Sequence, residues 1–161
     1  MFYNKSMYLC TTNGKPVWKG RTQWLSTACG NIFKHQQHGI YLMEQVKKLV
    51  ETITKGIQEK KGSNITIADL SGIEGSICHY FIICQGNSPS QVEAITDSVE
   101  ETARLDAGEK PVHVVGLTHA QWVAMDYTDV MVHIFMPEAR EYYNLENLWE
   151  DAKLTHVPDI D

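Results

Sequence analysis

Seven residues, Cys78 to Cys84 (CHYFIIC), constrain this chain more than any others. The run is too continuously apolar for a half-exposed strand and too short for a buried helix, so it predicts a central strand covered on both faces. It runs directly into Gly86-Asn87-Ser88-Pro89-Ser90-Gln91. There Ser88 suits an N-cap, Pro89 the first helical position, and Gln91 the residue that reaches back in a capping box. A buried strand turning at once into a helix implies an α/β sheet with helices packed on it.

The flanking segments extend that frame. Val46, Leu49, Val50, Ile53 and Ile57 recur at helical spacing, which predicts an amphipathic helix from Met43 closed by Gly62. ITIADL (65–70) reads as a short strand. After the Ser88 cap, Val92, Ile95, Val99 and Ala103 mark a second helix stopping near Gly108. PVHVVG, QWVAMDY and DVMVHIFM give three more strands, the last two joined tightly enough around Tyr127 and Thr128 for an antiparallel hairpin. Tyr142, Leu145, Leu148 and Trp149 follow at helical spacing, and LTHVPDID reads as a loose tail. The expected fold is therefore a mixed five-stranded sheet with packed helices.

Charge divides the chain. Residues 1–42 hold five bases (Lys5, Lys15, Lys19, Arg21, Lys34) and no acid, a net of +5, whereas residues 43–161 carry all 20 acids and a net of −11. The lead-in shows no sustained period and lacks the apolar core of a secretory signal. It reads as a poorly structured extension ahead of a biological start at Met43, with a transit peptide or a disordered arm as the other readings. The domain is then 43–161. No apolar run has the length of a membrane span. The four cysteines, Cys10, Cys29, Cys78 and Cys84, form no CxxC pair, which argues for a reducing compartment and against a structural zinc site.

The Gly86-Asn87-Ser88 turn invites a phosphate-binding reading. It lacks the second Gly and the Lys of a P-loop, the three glycines of a dinucleotide fingerprint, and the second Gly of a hydrolase elbow. Nucleotidyl transfer is the serious enzymatic option, and it needs paired carboxylates on a neighbouring strand to hold metal. No strand carries D-x-D or E-x-D, and Asp126 and Asp129 flank a turn, where they suit turn chemistry. His79, His113 and His133 lie on strands and His119 in a loop, without close ligand spacing. Cys84, ending a buried strand, reads as an inert thiol. No catalytic residue, metal or cofactor is expected. An acidic domain repels phosphate backbones, which argues against extensive RNA contact; an acidic face with Trp122 as aromatic anchor suits a basic protein partner, though composition alone favours Trp122 as a core residue.

From about Ile65 to Trp149, the segments ADL, HYFIICQGNSPSQVEAI, PVHVVGL, QWVAMDYTDVMVHIF and EAREYYNLENLW together resemble the ribosomal silencing factor family, the Iojap-related proteins of bacteria and organelles. The resemblance implies a nucleotidyltransferase-like scaffold without the catalytic carboxylates, and no enzyme. It implies binding to the large ribosomal subunit through its fourteenth ribosomal protein, on the joining face, so that subunit association is blocked and translation repressed. A part in large-subunit biogenesis, a homodimeric free state, no membrane and a cytoplasmic or organelle-matrix location are also implied. Carried over by position, Trp122, Val123 and Met125 supply apolar contact, and Asp126 and Asp129 face basic groups. Tyr80 and Gly86-Asn87-Ser88 shape that face or the dimer contact, while Arg140, Tyr143 and Trp149 are structural. Thr128 stands where the family commonly carries Gly, which puts the turn type of the hairpin in question. The rival function is nucleotide binding or transfer at Gly86-Asn87-Ser88.

Overall fold

The computed structural model describes residues 25–149 and 151–160, with a compact unit running from Ile40 to Asp161. Its first element, α1 (Leu25–Glu59), starts ahead of Met43. The lead-in expected to be poorly structured is thus helical over residues 25–42, while residues 1–24 lie outside the described residues. Leu25, Ala28, Cys29, Ile32 and Phe33 stand at helical spacing, a helix once nucleated propagates at little cost, and no proline stands between Val17 and Pro89 to stop it. Val46, Leu49, Val50, Ile53 and Ile57 form the expected buried stripe.

The end of α1 differs from expectation in one respect. Lys61, not Gly62, takes the left-handed conformation, at φ +55°. Gly62 is needed for space: a Cβ there would lie 2.4 Å from Ile57 Cγ2 and 3.1 Å from the Ile57 carbonyl oxygen, to which the Gly62 N–H donates.

Six strands follow: β1 (Ser63–Asp69), β2 (Tyr80–Gln85), β3 (His113–Val115), β4 (Trp122–Asp126), β5 (Val130–Phe135) and β6 (Lys153–Val157). They make one sheet in the order β3-β4-β5-β2-β1-β6, with β2 and β5 parallel and every other pairing antiparallel. The sixth strand corrects the expected count of five. The supposed tail pairs with β1 from Asp69↔Lys153 to Ile65↔Val157. Its side chains are exposed apart from the half-buried Val157, so no burial pattern announces it; backbone pairing with β1 and the 3.1 Å contact of His156 Nδ1 with Thr66 Oγ1 hold it. The apolar run forms β2, buried at Tyr80 through Cys84 as expected for the middle of a sheet.

α2 (Pro89–Thr102) continues through a wider π turn, Ala103–Ala107, to a left-handed Gly108. Val92, Ile95, Val99 and Ala103 are fully buried. With α1 they close one face of the sheet over Tyr80, Ile82, Cys84, Val123, Met125, Val130, Val132 and Ile134. The residues between these on the same strands look the other way. There Ala68, Leu70, Cys78, Phe81 and Ala152 form a smaller core with Trp149 and Met131. α3 (Pro137–Tyr143) and α4 (Leu145–Leu148) follow β5 and are separated at Asn144, φ +43°.

Candidate interaction face

The β4–β5 hairpin sorts its own residues. Trp122, Ala124 and Asp126 alternate with Val123 and Met125, and the latter two are fully buried under the helices. Tyr80 lies with them in the helix-covered core, also buried, its hydroxyl donating to Asp69 Oδ2 at 3.5 Å. Val123, Met125 and Tyr80, expected at a partner surface, are therefore core residues on the far side of the sheet from Trp122. The period-2 alternation of a strand makes this unavoidable once Trp122 points outward.

Trp122 is half-buried in an aromatic tier. It stacks on Phe135, its cross-strand partner, at 5.1 Å between centroids and 18° between planes, and meets Tyr143 of α3 at 4.7 Å. Its Nε1–H donates to His133 Nδ1 at 3.2 Å. His133 in turn meets Phe81 edge-on, and Phe81 meets Trp149 in the same way. On the adjoining elements α3, α4 and β3 apolar groups stand in solvent: Tyr142 is 82% exposed, Leu148 71%, Val115 60% and Tyr143 46%. Sequence reasoning assigned Tyr143 a structural role; it shares in this surface. Tyr142 and Leu148 stand at helical spacing, which suits the apolar side of an amphipathic helix or of a pair of turns, and two short helices form. The break at Asn144, in a conformation that an Asn adopts readily, turns both outward instead.

The hairpin tip is held by the two acids expected there. Asp126 Oδ1 accepts the Thr128 N–H at 2.7 Å, and Asp129 Oδ1 lies 3.0 Å from His79 Nδ1. The Asp129 carbonyl also accepts from the His79 and Tyr80 N–H groups. The turn type is now defined: Asp129 N–H donates to the Tyr127 carbonyl at 2.9 Å, with Thr128 at φ +70°. This is a γ-turn of the rarer positive-φ kind, strained for a β-branched residue.

The Gly86 turn is occupied by its own chain. Gly86 N–H donates to the Phe135 carbonyl, Asn87 N–H to Gln91 Oε1 at 2.8 Å, and Gln91 N–H to Ser88 Oγ at 3.2 Å. Gln91 thus reaches back one residue further than in a standard capping box. Its Nε2 also donates to the Lys60 and Lys61 carbonyls, tying α2 to the end of α1. The Gly86, Asn87 and Gln91 amides are thus engaged by the chain itself. Gly86 suits the tight packing here: a Cβ would lie 3.2 Å from the Val92 nitrogen.

Nearby, Arg140 bridges α4 to the sheet. Nε donates to Glu146 Oε1 at 3.0 Å and Nη1 to the Asn64 carbonyl at 2.7 Å, where β1 bulges with Asn64 at φ +50°. An open groove of about 450 Å³ runs past it, but its charged groups are already engaged, Asp159 with the Asn64 N–H. Burial pushes the Cys84 thiol up to about 12 and the Cys78 thiol to about 11, which leaves both unreactive. Among the described residues, no three His, Cys, Asp or Glu side chains gather as a metal site requires, and no helix is long and apolar enough to cross a membrane. His79, His113 and His133 do not converge: His79 joins the hairpin tip, His113 sits on the edge strand, and His133 joins Trp122.

Residues 43–161 match the family model described as ribosomal silencing factor during starvation. The chain belongs to the ribosomal silencing factor family. A ribosomal silencing factor of Bacillus subtilis is 37% identical over 111 residues, covering 69% of this chain and 92% of the relative. A chloroplastic Iojap protein of Zea mays is 34% identical over 82 residues, covering 49% of this chain and 34% of that one. A crystal structure from Bacillus halodurans superposes with a TM-score of 0.58 at 33% identity, over 70% of this chain and 98% of the other. In this ribosomal silencing factor domain the family-like segments build both faces of the sheet, and the Trp122 tier is where their aromatic residues reach solvent.

Proposed function

We propose that this protein binds the large ribosomal subunit at its joining face, docks there on the fourteenth ribosomal protein, and blocks association of the small subunit, repressing translation. Membership of a family described as silencing ribosomes during starvation supports the ribosomal role. The observation that carries the docking reading is the open aromatic tier of Trp122 and Tyr143, edged by the exposed Tyr142. A half-buried Trp backed by stacked rings is the kind of anchor on which interfaces concentrate their energy. Asp126 and Asp129 at the hairpin tip and the domain's net charge of −11 favour a basic protein over RNA as the direct contact.

The mechanism needs no bond to be made or broken. A protein bound where the small subunit must sit raises the free energy of the joined ribosome. Moving subunits from mostly joined to mostly apart takes about 5.5 kcal/mol of differential affinity. Full steric overlap supplies that readily, even from an interface of about 800 Å² per partner. In the same reading, free molecules pair as homodimers, the protein also assists large-subunit biogenesis, and it acts in the cytoplasm or an organelle matrix. The chloroplastic relatives support the organelle option.

Co-sedimentation with purified subunits tests this. The full chain is expected to travel with large subunits in stoichiometric amount and to reduce joined ribosomes when small subunits are added. No binding at moderate salt would refute it. Titration with ATP and magnesium tests the nucleotide alternative, for which no binding is expected.

A further inference from the structure

The Trp122 indole can only donate a hydrogen bond, so His133 Nδ1, 3.2 Å from it, must be the acceptor. Acceptance at Nδ1 puts the imidazole proton on Nε2. Among the described residues that Nε2 is buried and without a partner, in a residue only 7% exposed. An unpaired buried N–H is unfavourable, and a Phe or Leu on this strand would avoid it. Local conflicts of this kind collect where a side chain serves something other than stability.

The register shows what His133 supplies. Phe135 lies directly across from Trp122 and stacks beneath it, while His133 lies across from Ala124, diagonal to Trp122 on the same face. Stacking on Phe135 and contact with Tyr143 hold the plane of the indole, but neither selects which edge of the ring faces inward. The bond to Nδ1 does, because it captures the one polar atom of the ring. The small Ala124 side chain beside His133 leaves room for the diagonal contact. Burial also keeps the imidazole neutral, as an acceptor must be, by lowering it to about 4.

We propose that His133 is a positioning residue for the docking face: it accepts the Trp122 indole N–H and thereby fixes which edge of that ring is presented to the partner. This rests on Trp122 being the anchor of ribosome binding.

The test uses full-length, ¹⁵N-labelled protein. The Trp122 indole resonance is assigned by its loss in Trp122→Phe, and binding to large subunits is measured by co-sedimentation. His133→Phe keeps an aromatic ring and removes the acceptor. It is expected to fold, to move the Trp122 indole resonance and speed its hydrogen exchange, and to weaken subunit binding about tenfold. His133→Asn, whose amide oxygen can take the place of Nδ1, is expected to recover most of both. Should His133→Phe not fold, His133→Leu serves as the acceptor-free variant. An unshifted indole resonance, or a shifted one with subunit binding within twofold of wild type while Trp122→Ala binds weakly, overturns the positioning role alone. Trp122→Ala binding as tightly as wild type overturns the docking reading and the positioning role with it.

Discussion

One sheet carries two unlike faces. Under α1 and α2 the residues are mostly aliphatic, buried and closed to solvent, with Ile53, Ile57, Ile95, Val99, Val123, Met125, Val132 and Ile134 among them and Tyr80 and Tyr127 the aromatic exceptions. On the other face Phe81, Trp122, His133, Phe135, Tyr143 and Trp149 form an aromatic series, and the short α3 and α4 leave Tyr142, Tyr143 and Leu148 in water. Aliphatic side chains fill a closed core without polar atoms to satisfy. Aromatic ones give large contact areas with a polar handle, which suits a surface that is dry only part of the time. Because β4 alternates, five consecutive residues of one motif divide between the two tasks.

If the division is right, substitutions on the two faces separate stability from binding. The largest effect belongs to the closed face. Met125→Ala is expected to cost about 3 kcal/mol of folding stability, since it leaves a cavity in a rigid core. Chemical denaturation reads this, and the fraction that remains folded should bind large subunits with wild-type affinity. Weakened binding per folded molecule would blur the comparison.

The next effect sharpens the open face through acid. His133 in the folded protein sits at about 4, below the ordinary 6.5, because burial disfavours its charged form. The unfolded chain therefore takes up this proton first as pH falls. The stability concerned is fully present above pH 6.5 and lost as pH falls from there to 4, in total about 3 kcal/mol. His133→Phe should flatten that stretch of the stability–pH curve relative to wild type. Identical curves would mean that the imidazole is not buried neutral.

A smaller effect in energy decides function. Trp122→Ala removes a half-buried ring with one exposed edge, so the domain should keep its circular dichroism. Subunit binding should weaken by about 2 kcal/mol, some thirtyfold. Loss of the fold would make Trp122 a core residue and remove the distinction between the faces.

Smallest of all is Thr128→Gly at the hairpin tip. Relief of a positive φ, opposed by the greater freedom of glycine in the unfolded chain, should leave a gain of about 0.5 kcal/mol. Thermal denaturation measures it, and a loss of stability would mean that the Thr128 side chain makes a contact worth more than the strain.

Legibility in the sequence followed burial. β2 could be read because its neighbours cover both sides, and α2 because Ser88, Pro89 and Gln91 start it and a four-residue apolar stripe sustains it. β6 could not, since an edge strand of exposed Lys153, Leu154, Thr155 and His156 has no burial pattern to betray it. The helical stretch of residues 25–42 was passed over although Leu25, Ala28, Cys29, Ile32 and Phe33 stand at helical spacing, because the Gln-rich stretch that follows interrupts the pattern. For the candidate face, Trp122, Asp126 and Asp129 came from the family resemblance, and the structure places all three outside the helix-covered core. Val123, Met125 and Tyr80 were misplaced because a motif read as a string ignores strand alternation. The partnership of Trp122 and His133 joins residues eleven apart by a diagonal cross-strand contact, which only the register of β4 on β5 reveals.

The most direct test of the account compares co-sedimentation of the full-length wild type, Trp122→Ala and Met125→Ala with large ribosomal subunits, in the presence and absence of small subunits. The account predicts that wild type and folded Met125→Ala bind and reduce the joined ribosome, whereas Trp122→Ala stays in the supernatant with its fold intact. Equal binding by wild type and Trp122→Ala would contradict it.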